Sequence, residues 1–277
     1  YTAACAAGIF DLEDGLKLVA ERARLMHGLA KNGSMAAVFA SYETVKKKMT
    51  AYSDEVVIAA VNSPVDVVVS GNQKAVKALL VDLEREGIKG HPLSVSHAFH
   101  SPLVEPILRS FEKIAAKINY NAPKIKIVSN VTGKPVEGLE ISCASYWCRH
   151  MREPVMFANS INTLSEMGCN TFVELGPGST LLSMGRLCVK KNNGNWLASL
   201  KQGRADWSQI LKSLGIVYAG GTKIDWIGFD QDYPRRRIVL PTYPFQRKRY
   251  WIDKKNNESE SEGKQCFRFA HSTDSCH

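Results

Sequence analysis

Residues 56–70 read VVIAAVNSPVDVVVS, which is two apolar runs separated by a short polar turn. Runs rich in β-branched residues and interrupted by a serine–proline pair are typical of two paired strands. We therefore predict strands over 56–62 and 65–70, joined at Ser63 and Pro64. This hairpin is the starting point for the fold, because further strands and helices alternate on both sides of it.

The segments on both sides extend the hairpin into a small unit. A short apolar strand (34–40) and a polar helix (42–51) precede it, and an amphipathic helix (72–86) and a last strand (91–96) follow it. The helix over 72–86 places its apolar residues on one face. The resulting order, β-α-β-β-α-β, is the ferredoxin-like arrangement, which we predict for residues 33–96.

Outside this unit, strands and helices alternate over longer distances. A helix over 11–31 comes first, with Asp11 in position to cap its start. The elements expected after residue 96 are helices over 102–118, 157–167, 179–190 and 207–218, and strands over 126–130, 171–175 and 196–200. Such alternation is typical of a mostly parallel sheet covered by helices on both faces. The predicted fold class is α/β, with the small subdomain inserted into a larger one.

The composition excludes several classes of protein. The chain has 277 residues, 44% of them apolar and 23% charged, which argues against a disordered, collagen-like or coiled-coil chain. No apolar run approaches ~18 residues, so no membrane-spanning helix is expected. The chain begins at Tyr1 and carries no secretory signal, so we expect a piece of a longer protein.

The cysteine content favours the cytoplasm. The seven cysteines are odd in number, scattered, and free of any C-x-x-C pair, unlike the framework of a secreted disulfide-rich domain. Cys266, His271, Cys276 and His277 invite a zinc-site interpretation, but their spacing matches no common zinc finger. We expect no metal, and we expect the polar segment 254–277 to be disordered.

The excess of positive charge raises the alternative of a nucleic-acid-binding protein. The 36 basic and 27 acidic residues give a net charge of +9, with basic runs at 235–237 and 247–249. The aromatic and aliphatic residues interleaved with these runs resemble packing anchors: Leu240, Tyr243, Phe245, Tyr250 and Trp251. We favour basic side chains lying over apolar surface, and no nucleic-acid partner.

The densest cluster of polar side chains reads HAFHSP, from His97 to Pro102. It falls where the small subdomain would return to the larger one, and subdomain junctions are favoured places for binding clefts. A histidine there could act as a general base near neutral pH. The alternative is a helix-capping segment with partly exposed histidines.

Two other features are ambiguous by themselves. Residues 174–178 (ELGPG) form a strand–turn–helix connection, which is either an anion site at the helix start or simply a tight turn. Arg22, beside Glu21 and Arg24, reads as a solvated charge. No G-x-S-x-G elbow, P-loop or G-x-G-x-x-G fingerprint occurs, so no nucleophile is evident.

An ordered series of motifs resembles the acyltransferase domain of modular type I polyketide synthases. The motifs are DLEDG (11–15), ERARLM (21–26), VNSP (61–64), VVSG (68–71), HAFHSP (97–102), SNVTG (129–133), YWCRHMREPV (146–155), ELGPG (174–178) and LPTYPFQR (240–247). The resemblance covers nearly all of residues 1–251. It implies a hydrolase-like larger subdomain that is incomplete here, because the family's G-H-S-x-G-E serine elbow would precede Tyr1.

The resemblance also implies site residues. His100 matches the general base of the serine–histidine pair, and His150 matches the position whose backbone carbonyl orients that imidazole. Arg22 matches the arginine that binds the free carboxylate of the extender unit. Phe99 matches a position that is bulky in malonyl-selective members, and Asn62 lies near the cleft in the family.

The implied reaction moves malonyl from malonyl-CoA to the phosphopantetheine thiol of an acyl carrier protein, with no metal or redox cofactor. The implied partners are that carrier protein and the neighbouring ketosynthase and other synthase domains. The alternative is a non-catalytic scaffold piece of a synthase. The expected segments are 1–32 and 97–202 (large subdomain), 33–96 (small subdomain), 203–253 (post-acyltransferase linker) and 254–277 (tail).

Overall fold

The computed structural model of the chain describes residues 1–189, 194–236, 238–248 and 250–251. The chain divides into two compact units, Tyr1–Ile224 and Asp225–His277. No helix in the described ranges is long and apolar enough to span a membrane. The expected tail over 254–277 and the candidate zinc residues within it lie outside the described residues, as do Arg237 and Arg249 of the basic runs.

The described elements follow one another in a mixed α/β order. The helices are α1 (Thr2–Ala6), α2 (Leu12–His27), α3 (Tyr42–Lys48), α4 (Gln73–Arg85), α5 (Glu105–Ala115), α6 (Ala144–Arg152), α7 (Phe157–Glu166), α8 (Thr180–Cys188), α9 (Asp206–Ala219) and α10 (Trp226–Asp230). The strands are β1 (Gly33–Val38), β2 (Val56–Ser63), β3 (Asp66–Asn72), β4 (Gly90–Pro92), β5 (Thr171–Glu174) and β6 (Asn195–Ala198). Short 3-10 helices occupy Met49–Tyr52 and Pro102–Val104.

The small sheet has the strand order β2-β3-β1-β4, and every neighbouring pair is antiparallel. The predicted hairpin and the predicted sequence of strands and helices around it are both observed. Alternate residues of the strands face α3 and α4, whose Val45, Leu79 and Leu83 are buried against them. The opposite face carries Met35 and Val68 and packs against the loop that contains the candidate histidines.

A second core surrounds Trp147 and holds α2, α5 and α6 together. Trp147 is one of the largest fully buried side chains, and its ring lies 5.4 Å from that of Phe10 and 4.6 Å from that of Tyr1. Helix α6 was not predicted from the sequence, although the segment it occupies carries the recognised YWCRHMREPV motif. Its buried Trp147 and Met151 share this core with Phe111 of α5.

The expectation of a larger parallel sheet is met by one pair within the described residues, β5 and β6. The strand predicted over 126–130 is wrong. There, Val128 makes only an isolated bridge to Pro135, and Ser129 begins a turn closed by a hydrogen bond from the Gly133 amide to the Ser129 carbonyl (2.7 Å). The bridge consists of two backbone hydrogen bonds, from the Ser129 amide to the Lys134 carbonyl and from the Val136 amide to the Ile127 carbonyl, both at 2.9 Å, and the turn closes it on one side.

The second unit contains α10, which is capped by the Asp225 side chain accepting from the Gly228 amide at 2.9 Å. The side chains expected to act as packing anchors are exposed, with exposed fractions of 71% for Leu240, 78% for Phe245 and 81% for Trp251. The packing inferred for them from their apolar character is therefore not observed.

We expect Gly71→Ala to destabilise the small sheet. A Cβ at Gly71 would lie 2.0 Å from the Glu55 carbonyl oxygen, so β2 would have to move away from β3. Overpacking of this kind costs about 1–3 kcal/mol in unfolding free energy. Denaturant titration measures it.

The matched control is Gly215→Ala, since Gly215 lies inside α9 and a Cβ at this position would meet no other atom within 4 Å. Replacing a helical glycine by alanine should raise stability by up to about 1 kcal/mol. Equal effects of the two substitutions would show that close strand approach at Gly71 is unimportant.

Candidate active site

His100 lies in the loop between β4 and the helical turn that starts at Pro102, in an unusual backbone conformation. Its φ is +57°, the only positive value at a non-glycine residue in the described part of the chain. The turn is fixed by Ser101, whose buried hydroxyl donates to the Ala98 carbonyl (2.7 Å) and accepts from the Leu103 amide (3.2 Å). The neighbouring hydrogen bonds therefore hold a strained residue in one orientation.

The imidazole of His100 is oriented by a backbone carbonyl. Its Nδ1 lies 2.8 Å from the carbonyl oxygen of Glu153. A carbonyl only accepts, so the neutral ring carries its proton on Nδ1 and leaves a lone pair on Nε2. This is the tautomer that a general base requires.

The assignment of that carbonyl to His150 is wrong. His150 lies inside α6, where carbonyls point along the helix axis, whereas Glu153 follows the helix with extended backbone angles (φ −81°, ψ 159°). The change to extended backbone turns the Glu153 carbonyl out of the helix and towards His100. The next residue, Pro154, disfavours helical backbone at Glu153 and so accounts for the change.

The Glu153 segment is held on both sides. The Arg149 guanidinium binds the Glu153 carboxylate through two contacts, Nε to Oε1 at 2.8 Å and a terminal nitrogen to Oε2 at 3.2 Å. The Glu153 amide also donates to the Arg149 carbonyl at 2.7 Å.

Beyond Pro154, the Val155 amide donates to the Ala59 carbonyl (2.8 Å) and the Val155 carbonyl accepts from the Val61 amide (2.9 Å). The carbonyl that orients His100 is thus fixed between α6 and β2.

Burial is the main cause that lowers the pKa of His100 below its ordinary value, and the charge of Arg22 lowers it further. The hydrogen bond to Glu153 opposes this shift, since it favours the charged ring. Burial also lowers the pKa of the His150 ring, and the charges of Arg22 and His100 lower it further. The charge of Arg22 lowers the pKa of both His100 and His150, so the two rings are neutral beside one cation.

His97, the first histidine of the HAFHSP segment, is structural. It is buried, its Nε2 donates to the Leu29 carbonyl (3.2 Å), and its Nδ1 accepts from the Ser96 hydroxyl (2.7 Å). Both ring nitrogens are occupied, so this ring has no free lone pair. It instead ties the loop to the end of α2.

A cleft of about 420 Å³ opens between α2 and this loop, with Arg22 and Phe99 on its walls. Its other lining residues are Val19, Ala23, Met26, His27, Ser96 and His97. Sequence reasoning missed the α2 residues among these, although they recur with helical spacing from Arg22.

The Arg22 guanidinium is not paired with a carboxylate in the described part of the chain. The neighbouring Glu21 binds Arg24 instead, at 2.7 Å, and the buried Nε of Arg22 has no hydrogen-bond partner. The Tyr1 ring lies against the guanidinium, 5.6 Å from centroid to Cζ. A half-buried cation with an unused donor, facing a cleft, is suited to bind an anionic group.

Two predicted features lie apart from this cleft. Asn62, near the end of β2, does not line it, and the Asn62 carbonyl accepts from the Cys188 thiol at 3.5 Å. At the ELGPG turn, the Glu174 carboxylate accepts from the Leu182 amide at 2.9 Å. The first turn of α8 therefore already holds an internal anion, which favours the tight-turn interpretation.

No group of three or more His, Cys, Asp or Glu side chains in the described ranges is arranged to hold a metal ion. The functional residue that the sequence reasoning missed altogether is Glu153. The available signal was Pro154, which marks the end of a helix and hence a carbonyl turned outward.

Comparison with known proteins identifies the family. A family model for the acyl transferase domain matches residues 1–214. Polyketide synthase GfsA of Streptomyces halstedii is 39% identical over 248 residues, which is 89% of this chain and 3% of that protein. The PKS-NRPS hybrid synthetase ATPKS of Aspergillus niger is 40% identical over 268 residues, or 91% of this chain and 14% of that protein.

Solved structures agree with this result. The acyltransferase domain from the second module of the salinomycin polyketide synthase superposes with a TM-score of 0.77 at 37% identity, covering 87% of this chain and 56% of that one. FabD from Acinetobacter baumannii has the same fold, with a TM-score of 0.73 at 23% identity, covering 79% of this chain and 70% of that one.

The chain therefore belongs to the acyl transferase domain family, and its fold is α/β. The relatives described above are polyketide synthases, and the chain spans only a small part of their length.

We expect Arg149→Gln to loosen His100 without unfolding the protein. Exposed helical ion pairs contribute about 0.3–0.5 kcal/mol, so global stability should barely change. The Glu153 carbonyl should lose part of its fixed position, and the Nδ1–H tautomer of His100 should become less populated. Nitrogen-15 NMR of the histidine rings measures the tautomer ratio.

The matched control is Arg85→Gln, which removes an exposed pair to Asp82 at 3.1 Å on α4. It should cost similar stability and leave the His100 ring signals unchanged. An unaltered tautomer ratio in Arg149→Gln would contradict the positioning role of the Arg149–Glu153 pair.

Proposed function

We propose that this chain forms the base and the carboxylate-binding part of a malonyl-selective acyltransferase domain in a polyketide synthase. Malonyl passes from malonyl-CoA to the phosphopantetheine thiol of an acyl carrier protein. The observation that carries the proposal is the His100–Glu153 hydrogen bond, which leaves Nε2 unprotonated. The preceding residue, Phe99, lines a cleft together with Arg22, whose Nε is unpartnered.

The proposed chemistry is a two-step exchange through an acyl-enzyme. His100 Nε2 takes the proton of a serine hydroxyl as the serine oxygen attacks the thioester carbonyl. The C–S bond then breaks, and the coenzyme A sulfur leaves with the proton from His100. In the second step, His100 removes the proton of the carrier thiol, which attacks the serine ester, and the proton returns to the serine oxygen. The proposed serine lies outside these 277 residues, ahead of Tyr1 in the whole protein.

The lowered pKa of His100 supports this role. Because burial keeps the ring neutral, the base form is available at and below neutral pH. The group that orients His100 is an uncharged carbonyl. It therefore does not raise the pKa of the ring as a neighbouring carboxylate would. The mechanism requires no metal or redox cofactor, since every step is a proton or acyl transfer.

Arg22 is proposed to bind the free carboxylate of the malonyl group. A planar guanidinium can hold a carboxylate through two parallel hydrogen bonds, which acetyl cannot form. Its unpartnered Nε and its position on the cleft wall support this assignment. For Asn62, whose contacts lie away from the cleft, we retain only a structural role at the end of β2.

The proposal extends to organisation. Residues 33–96 form a ferredoxin-like subdomain between two parts of a hydrolase-like one, at 1–32 and 97–202, and 203–253 is a linker to the rest of the synthase. Carrier protein and neighbouring synthase domains, including a ketosynthase, are the proposed partners, in the cytoplasm, with no nucleic acid.

The function is tested by sequencing the coding DNA upstream of Tyr1 and assaying the encoded protein with malonyl-CoA and acetyl-CoA. We expect an in-frame G-H-S-x-G-E motif and a malonyl-enzyme. Arg22→Gln should lower kcat/KM for malonyl by about 100-fold or more, the value of two charge-assisted hydrogen bonds, with little effect on acetyl.

Arg85→Gln is the control, since Arg85 is exposed on α4, bound to Asp82, and its loss leaves Glu21 on Arg24. It should preserve malonyl selectivity, whereas His100→Ala should abolish transfer of both acyl groups. Absence of both the motif and a malonyl-enzyme would refute the proposal and favour the scaffold role.

Phe99→Ser should relax selection against methylmalonyl. The ring is half-buried between the cleft and Met35 and Leu93 of the small subdomain, so it fills space that an α-methyl branch would need. One carbon is worth about 1–3 kcal/mol, so the malonyl-to-methylmalonyl ratio of kcat/KM should fall about 10–200-fold.

Phe39→Ser provides the comparison, because Phe39 is half-exposed on the small sheet and does not line the cleft. Competition between the two substrates measures the ratio independently of how much enzyme folds. An unchanged ratio in Phe99→Ser would remove Phe99 from the specificity determinants.

A further inference from the structure

A second cleft, of about 400 Å³, lies apart from the Arg22 cleft. Its walls come from α8, β6, the segment after β6 and α9. Ser179 follows β5 and Lys201 follows β6, so one end of this cleft lies at the carboxyl ends of two parallel strands, and Arg186 and Ile216 line it farther along α8 and α9. Open α/β sheets bind their ligands at this edge.

The charge of this cleft is strongly positive. Four cations line it, Arg186, Lys201, Arg204 and Lys212, and none of them forms an ion pair in the part of the chain that the structure describes. The adjoining cavity shares Lys201 and Arg204 and includes one carboxylate, that of Asp206. The cations therefore exceed the acids in this region, and a cleft lined by one sign of charge concentrates ligands of the opposite sign.

The floor of the cleft is polar and fixed. Gln209 and Ser213 are buried, and both donate to the Ala198 carbonyl, at 2.9 and 2.7 Å. These bonds tie α9 to the end of β6. Arg186 is also oriented, since one of its terminal nitrogens donates to the Trp196 carbonyl at 3.3 Å. Arg186 and Lys212 thus lie on α8 and α9, and Lys201 and Arg204 lie in the connection from β6 to α9.

We propose that this basic cleft binds the phosphate groups of the phosphopantetheine thiol that carries the acyl group. The ligand class rests on the proposed function, because both the coenzyme A donor and the carrier protein's prosthetic group bear phosphate esters. Arginine and lysine are the side chains that favour phosphate, and several together hold it without a metal. The cleft would act on substrate capture and not on the chemical step.

The test is calorimetric binding of coenzyme A, dephospho-coenzyme A, 4′-phosphopantetheine and pantetheine to the 277-residue chain. A variant with Lys201, Arg204 and Lys212 changed to Gln removes three charges and spares the Arg186–Trp196 bond. Exposed charge contacts are individually weak, but three together should weaken coenzyme A binding about 5-fold or more.

The matched control changes Lys47, Lys74 and Lys77 to Gln, three exposed lysines of the small subdomain without a carboxylate partner among the described residues. It has the same net charge as the cleft variant and should bind coenzyme A within about 2-fold of the original chain. Circular dichroism and thermal melting of both variants verify that they fold.

Comparison of the four compounds shows which phosphate group the cleft binds. Loss of affinity with dephospho-coenzyme A supports the 3′-phosphate of the donor, and 4′-phosphopantetheine binding as tightly as coenzyme A supports the phosphate shared with the carrier protein. Equal binding of pantetheine, equal loss in both triple variants, or no loss in the cleft variant would overturn the inference.

Failure of the proposed acyl transfer can be distinguished from failure of the proposed phosphate binding. If the protein carried no acyl group but coenzyme A binding still depended on the cleft lysines and Arg204, phosphate binding would stand and acyl transfer would fall. If Arg22 and His100 controlled malonyl transfer while the cleft variant bound coenzyme A normally, the opposite would hold.

Discussion

The hydrogen bond from His100 Nδ1 to the Glu153 carbonyl joins three parts of the structure that are distant in sequence. Its donor lies in the loop after β4, its acceptor ends α6, and the residue two positions after the acceptor pairs with β2. The left-handed backbone of His100 is tolerated because Ser101 and this bond over-determine it. The tautomer, the lone pair on Nε2 and the direction of the ring all follow from this one contact.

The electrostatics of the candidate site depend on a charged Arg22 lying near a His100 ring that stays neutral. Arg22 keeps an unused donor because Glu21 is bound to Arg24, and its positive charge helps to keep His100 neutral. A carboxylate beside His100 would raise the pKa of the ring and would also compete for Arg22. The backbone carbonyl of Glu153 orients the ring without introducing either problem.

Sequence patterns predicted the helices and strands whose own residues show the hydrophobic periodicity of that element. The helix over 72–86 and the strands of the hairpin follow from local periodicity, and the motif series located His100, Arg22 and Phe99. Contacts that depend on distant partners were beyond this reasoning. The family resemblance pointed to His150, inside α6, whereas the chain becomes extended before Pro154 and turns the Glu153 carbonyl towards His100. Residues 126–130 resembled a strand, but the chain turns back at Ser129, so only an isolated bridge between Val128 and Pro135 forms.

The two backbone hydrogen bonds between Val155 and β2 limit how the cleft of this chain could change its shape. They anchor the small sheet to the same segment that holds the base, so a hinge opening of that sheet would also displace the Glu153 carbonyl. Widening the cleft by domain movement would thus misalign His100. Replacement of side chains on the cleft walls leaves the hydrogen bond between His100 and the Glu153 carbonyl in place. On the proposed function, a change of acyl preference is therefore expected from substitutions on the cleft walls and not from movement of the small sheet.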